Sequence, residues 1–293
     1  MNTKGRPPVI IIGMHRSGTG ILSQSLEKLG LFIGYKKEPN KEATFFLRLN
    51  EWMFKQANAS WDNPYNFNFT NDFFKREIIK ILKFHLGSYR RIKYLGLKNF
   101  LKYKDIRDLD FPWGWKDPRN TFTLDIWKEI FLSAKILHIY RNPIDVAESL
   151  RKRELEIQTR HKRNLKRIIK ENLLIGKVNS QNSVRVLDIY EGIKLWQEYV
   201  ERALFLTEKF KENSFHIRYE SFLENPEEIL KDVIEFIGLD ARGENISIIA
   251  ANIKPERKYA FKGDEKLKDL YMQIKDSNYL IKKLGYQNII TKF

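Results

Sequence analysis

Residues 13–20 read Gly-Met-His-Arg-Ser-Gly-Thr-Gly, which brings backbone flexibility, a guanidinium and two hydroxyls into one short turn. An apolar run, "PVIII" at 8–12, precedes it, and a helical pattern through Ile21, Leu22, Leu26 and Leu29 follows, stopping at Gly30. A turn between a buried strand and a helix aims successive amides at one spot, and the helix start adds roughly half a positive charge. The result is an anion site. An ordinary strand-to-helix connection also favours glycine, but Arg16, Ser17 and Thr19 tip the reading toward phosphate or sulfate. The spacing Gly13-x-x-x-x-Gly18 matches a nucleoside-triphosphate loop, yet Thr19 stands where that loop needs its lysine.

Further along, "KILHIYRNPIDVAESL" places Arg141 directly after a strand and Ser149 eight residues later on the following helix. Two helical turns bring such a serine onto the face turned back toward the arginine. Pairing of Arg141 with a carboxylate is the simpler structural alternative. In "WGWKDPRN", Asp117 before Pro118 forms a helix start, with Asp as cap and Pro at the first position. Lys116, at the strand end, is then available to an anion. "GYKKEPNKEATFFLRLNEW" offers two carboxylates, Glu38 and Glu42, either of which can act as a general base or stand as a solvated surface group.

The loop together with the Arg141 and Ser149 pair resembles the sulfotransferases that use 3′-phosphoadenosine-5′-phosphosulfate (PAPS). "WKDPR" at 115–119 is similar to a motif of bacterial members that carry the Gly-Met-His-Arg-Ser-Gly-Thr loop, and "FHIRYESFLENPEEILKDVIEFIGL" resembles the region after the last core strand. The resemblance covers residues 8 to about 240. It implies that His15, Arg16, Ser17, Gly18, Thr19 and Gly20 cradle the 5′-phosphosulfate, and that Arg141 and Ser149 hold the 3′-phosphate. Arg16 then stabilises the leaving oxygen, with Lys116 as the second cation. Glu42 is the preferred base because it stands eight residues before Asn50, as in bacterial relatives, although Lys41 replaces their aromatic; Glu38 is the runner-up. "KPERKYAFKGDE" adds Arg257 and Lys258 as candidate 3′-phosphate contacts. No metal is expected, and the implied acceptor is a hydroxyl or amine on a carbohydrate or glycolipid. The rival readings are a phosphotransferase on the same loop and a non-catalytic anion binder.

The elements that must position these residues are short apolar runs at 8–12, 111–116, 135–140 and 214–219, each followed by a helical pattern, with a fifth strand at 93–98. Their alternation predicts an α/β fold of the P-loop nucleoside-kinase type, three layers around a mainly parallel sheet. Long helices are expected over 189–213, with Trp196, Tyr199, Leu204 and Leu206 apolar, and over 225–239, ending at Gly238.

Residues 1–293 are expected to form one domain with two insertions. An aromatic-rich one at about 52–90 carries Trp52, Trp61, Tyr65 and Phe67, which either close over sugar rings or pack a small helical cap. A basic helical one at about 151–180 begins with nine Lys or Arg against two Glu over 151–170, and either solvates or attracts a polyanion or an anionic membrane face.

Composition narrows the class. A chain with 42% apolar residues supports a sizeable core, and the absence of cysteine rules out disulfides and thiolate metal sites. The first apolar run is too short for a signal peptide, and no run nears the roughly 20 residues of a membrane span, so a cytoplasmic location is expected. The net charge of +16 fits an anionic partner, which the motifs identify as a nucleotide rather than nucleic acid.

Overall fold

The structure is a computed structural model that describes residues 5–162 and 183–290. The chain divides into two compact units, residues 1–140 with 199–258, and residues 141–198 with 259–293.

The first unit is built on a four-stranded sheet, β1 (Val9–Ile12), β2 (Gly114–Lys116), β3 (Lys135–Tyr140) and β4 (Ser214–Arg218), in the order β2-β1-β3-β4. Every neighbouring pair is parallel, with Ile11 opposite both Lys116 and Leu137, and Tyr140 opposite Arg218. All four residues of β1 are buried, because a central parallel strand is covered on both faces and therefore reads as an unbroken apolar run. The alternate residues Val9, Ile11, Leu137, Ile139 and Ile217 share one core with α1 (Thr19–Lys28), α8 (Tyr219–Glu224), α9 (Pro226–Ile237) and α10 (Gly243–Ala251). On the other face Trp115 stacks on Phe46 of α2 (Thr44–Gln56) at 4.0 Å and meets Trp127 of α5 (Asn120–Ile130) edge-on at 5.2 Å. Helix, sheet and helix are thus the three layers that the strand–helix alternation predicts.

The expected fifth strand at 93–98 is instead part of α4 (Ile92–Lys102), kinked where Gly96 takes φ 69°. A short apolar run does not by itself distinguish strand from helix. Packing decides here: the Tyr94 ring lies edge-on to Phe32, Phe46 and Trp113, and its hydroxyl donates to Gly114 O at 2.7 Å. That contact, with the bridge between Phe32 and Trp113, covers the outer edge of the short β2.

Helix punctuation follows the sequence. Gly30 and Gly238 adopt left-handed backbone at φ 106° and 63° after α1 and α9, relieving the last carbonyls of each helix. The start expected at Asp117 and Pro118 falls later: α5 begins at Asn120 with Arg119 at its cap position, and Asp117 instead accepts from Arg119 N–H at 3.0 Å in the turn that leads in. The aromatic-rich segment contains the end of α2, a 3-10 turn at Tyr65–Phe69, and α3 (Asp72–Gly87), whose cap Asn71 accepts from Phe74 N–H.

The second unit contains α6 (Pro143–Lys162), the start of α7 (Ile189–Lys209), α11 (Glu265–Ile274) and α12 (Tyr279–Lys283). Ile144, Ala147, Ile193, Phe261, Leu267, Leu270 and Tyr271 form its core, and Gly192 lets α7 approach Ala147 closely. The first part of the basic insertion, 151–162, continues α6; residues 163–180 lie outside the described residues.

Candidate active site

The anion loop leaves the carboxyl end of β1. Gly13 and Gly18 take φ 140° and 101°, and neither position tolerates a side chain: a Cβ would fall 2.2 Å from Ile139 O at Gly13 and 2.3 Å from the Tyr219 ring at Gly18. Ser17 is buried, with its hydroxyl within 2.6 Å of Met14 O and 3.1 Å of Ile139 O, so it shapes the loop from within. Gly13 N–H donates to Thr121 Oγ1 of α5 at 3.2 Å. Arg16 is exposed and held in the left-handed region at φ 70°, where an L-residue is strained. Helix α1 opens on Gly18, which has no side chain to cap it, so the first-turn amides of Thr19, Gly20 and Ile21 lack both an intrahelical carbonyl and a capping oxygen. A Cβ at Gly20 would meet nothing within 4 Å. Such a helix start fits a phosphate or sulfate group.

His15 turns its ring toward the aromatic segment, edge-on to Trp61 at 4.8 Å and to Tyr199 at 6.1 Å, while Tyr199 OH donates to Trp61 O at 2.7 Å. The four aromatics singled out in the sequence separate. Trp61 packs beside the loop, Phe67 is buried against Phe54 at 5.1 Å, Trp52 is half-buried, and Tyr65 is exposed with its ring 5.1 Å from Phe69.

Lys116 ends β2, adjacent to β1, so it emerges on the same sheet edge as the loop. Its ammonium forms an ion pair with Glu42 and donates to Asn40 O at 2.7 Å; Lys116 is 2% exposed and Glu42 7%. Glu38 supports the same turn through its backbone, donating to Glu42 O at 2.9 Å and accepting from Lys41 N–H at 2.8 Å. Lys41, at φ 70°, reverses the chain between the two glutamates. Of the two candidate bases, Glu42 is the one paired with Lys116. Burial raises its carboxyl above the ordinary carboxylate range, and the Lys116 charge and hydrogen bond oppose that rise.

Behind this pair lies a hub that sequence reasoning used only as a spacing mark. Asn50 of α2 is fully buried and satisfied on both sides: Nδ2 donates to Asp117 Oδ2 (2.9 Å) and Asn120 Oδ1 (2.8 Å), while Oδ1 accepts from Thr123 Oγ1 (3.0 Å) and Trp127 Nε1 (2.9 Å). Asn120 in turn accepts from Trp115 Nε1 and donates to Ile11 O. The available signal was one amide inside the apolar stripe Phe46, Leu49, Met53 and Phe54.

In the second unit, Arg141 Nη2 donates to Asp145 Oδ2 at 2.9 Å, and both residues are buried. Asp145 also accepts from Asn142 Nδ2 (2.8 Å) and Phe261 N–H (2.9 Å), and Arg141 O accepts from Trp196 Nε1 (2.9 Å). The carboxylate partnership considered from sequence is therefore present, and it fixes the guanidinium. Ser149 lies half-buried on α6. Back in the first unit, Lys258 pairs with Glu224, and Arg257 is exposed in a short 3-10 turn.

A strand, an uncapped helix start and a buried lysine–carboxylate pair on one sheet edge are the parts of an enzyme that handles an anionic group. The sequence model of the Sulfotransferase family matches residues 7–243, and the chain belongs to that family: it is a sulfotransferase. A comparison with curated proteins returns no match. Among solved structures it is similar to the sulfotransferase domain from the curacin biosynthetic pathway (15% identity, 92% of this chain and 98% of that chain covered, TM-score 0.49). It is also similar to sulfotransferases from Alicyclobacillus acidocaldarius (20%, 80% and 82%, 0.44) and Mycobacterium avium (14%, 93% and 77%, 0.43).

Proposed function

We propose that the protein moves a sulfuryl group from PAPS to a hydroxyl or amine, with the loop at 13–20 receiving the phosphosulfate. The buried Lys116–Glu42 pair beside that loop carries the reading. The donor supplies an activated sulfur–oxygen bond whose rupture puts charge on a phosphate oxygen. Arg16 and Lys116 are the cations assigned to that oxygen, and the amides of Thr19, Gly20 and Ile21 to the phosphosulfate. The acceptor oxygen forms the new bond to sulfur as its proton passes to Glu42. A buried carboxylate serves as base only while ionised, and Lys116 opposes its neutralisation. Arg141 and Ser149, with Arg257 and Lys258, are assigned to the 3′-phosphate.

The acceptor we infer is a saccharide. A groove of about 350 Å³ at the end of α2 supports this, lined by the carboxamides of Gln56, Asn58, Asn66 and Asn71 and by the rings of Phe69 and Phe74. Uncharged amides beside aromatic rings suit a neutral sugar. Trp61, between groove residues in sequence, carries the same segment to His15 of the loop.

Calorimetry with 3′-phosphoadenosine 5′-phosphate tests the donor. Binding is expected for the native protein and should weaken by about tenfold to a hundredfold in Arg141→Ala, as for loss of a charge-assisted contact. Tighter binding of ATP would favour the phosphotransferase reading, and an unchanged Arg141→Ala would remove the 3′-phosphate assignment.

A further inference from the structure

The fold gives α3 two apolar faces, and among the described residues only one is used. Ile78, Leu82 and Leu86, spaced four apart, are buried beneath the helix. On the opposite side Phe73 and Phe84 are 67% and 71% exposed, with Ile81 also exposed beside Phe84. Residues 73, 80 and 84 fall along one line of a 3.6-residue helix, so Lys80 lies between the two phenylalanines. Arg76 and Lys83, both exposed, flank that line; the acids beside it are Glu77, paired with Lys80 at 2.6 Å, and Asp72 at the helix start.

A similar composition occurs on α4. Leu97 and Leu101, four residues apart, are 64% and 74% exposed, and each is followed by an exposed lysine, Lys98 and Lys102. Monomeric soluble proteins scatter such residues singly. Phenylalanine and isoleucine interleaved with lysine and arginine along one helix face is instead the composition of a helix that lies in a lipid headgroup layer.

We propose that the outer face of α3 docks this protein on an anionic lipid bilayer. The occupant follows from charge as well as from apolarity: a second copy of the same face would bring Arg76, Lys80 and Lys83 against their own kind, whereas anionic headgroups neutralise them. The phenylalanines enter the acyl boundary while the lysine stems lie along it with their ammonium groups in the headgroups. The proposal concerns a surface that takes no part in the sulfuryl transfer assigned above.

The test is co-sedimentation of the full chain with vesicles of phosphatidylglycerol and phosphatidylcholine in equal parts, against phosphatidylcholine alone. Preferential binding to the anionic vesicles is expected. Phe73→Ser with Phe84→Ser, and separately Lys80→Glu with Lys83→Glu, should each weaken it by about tenfold or more. The exposed pair Lys211→Glu with Lys254→Glu makes the same change in net charge elsewhere and should cost clearly less. Calorimetry with 3′-phosphoadenosine 5′-phosphate on each variant separates loss of this surface from loss of the donor site or of the fold. No preference for anionic vesicles overturns the proposal. So does an equal loss in the Lys211 and Lys254 control, which would mean net charge alone. A native dimer in sedimentation velocity that the phenylalanine variant dissolves would assign the face to a second copy instead.

Discussion

Lys116 and Glu42, 74 residues apart in the chain, meet as one buried ion pair at the carboxyl edge of the sheet, closed by Asn40 O. The pairing is asymmetric in its consequences. Lys116→Met leaves Glu42 buried without a counter-charge and should destabilise the fold by about 3–5 kcal/mol in urea titration. Glu42→Gln leaves the Lys116 ammonium without its counter-charge but keeps an oxygen to accept from it beside Asn40 O, so its loss of stability should be smaller while turnover falls by about a hundredfold to ten-thousandfold. Equal activity in Glu42→Gln and the native enzyme would show that another group takes the acceptor's proton.

Arg16 separates chemistry from stability. Its side chain is exposed, and its φ of 70° carries a strain that glycine would not. Arg16→Gly should therefore leave unfolding within about 1 kcal/mol of native, since relief of strain is offset by glycine's added chain entropy. Turnover should fall by about a hundredfold to a thousandfold, as when one stabilising donor is removed from a transition state.

Asn50 has the opposite profile. Asn50→Leu approximates its volume but deprives Asp117, Asn120, Thr123 and Trp127 of hydrogen-bond partners inside the core. A loss of about 2–4 kcal/mol in denaturant unfolding is expected. Asn50→Asp should be worse, because it sets a carboxylate against buried Asp117.

Acid should act through the histidines of adjacent strands. His138 of β3 is buried with Nδ1 3.1 Å from Nδ1 of His216 of β4, and burial, with the neighbouring ring, pushes its pKa down to about 3. The unfolded chain then takes up the proton first. Stability conferred by the neutral form is full above pH 6.5 and is lost as pH falls toward 3, at up to about 1.4 kcal/mol per pH unit. Thermal unfolding from pH 7.5 to 5 should show this slope, and His138→Leu should flatten it.

What the sequence revealed was local. The central strands β1 and β3 were legible because buried parallel strands read as nearly unbroken apolar runs, and Gly30 and Gly238 were legible because a left-handed backbone position dictated each. The error at 93–98 came from a choice that only distant partners make: Tyr94 is drawn under Phe46 and Trp113, which lie far from it in the chain. The Lys116–Glu42 pair and the Asn50 hub belong to the same kind. Spacing brought each residue under suspicion, but a hydrogen bond spanning some seventy residues leaves no period to detect.

The three glycines of the loop answer to different masters. Ile139 and Tyr219 forbid a side chain at Gly13 and Gly18, so the protein's own packing explains both; at Gly20 there is open space, and alanine would suit a helix first turn better by about 1 kcal/mol. Nothing inside the described chain asks for Gly20, which makes it a gauge of what comes from outside. If Gly20→Ala raises the melting temperature while weakening binding of 3′-phosphoadenosine 5′-phosphate, the missing methyl group marks where the donor's van der Waals surface begins.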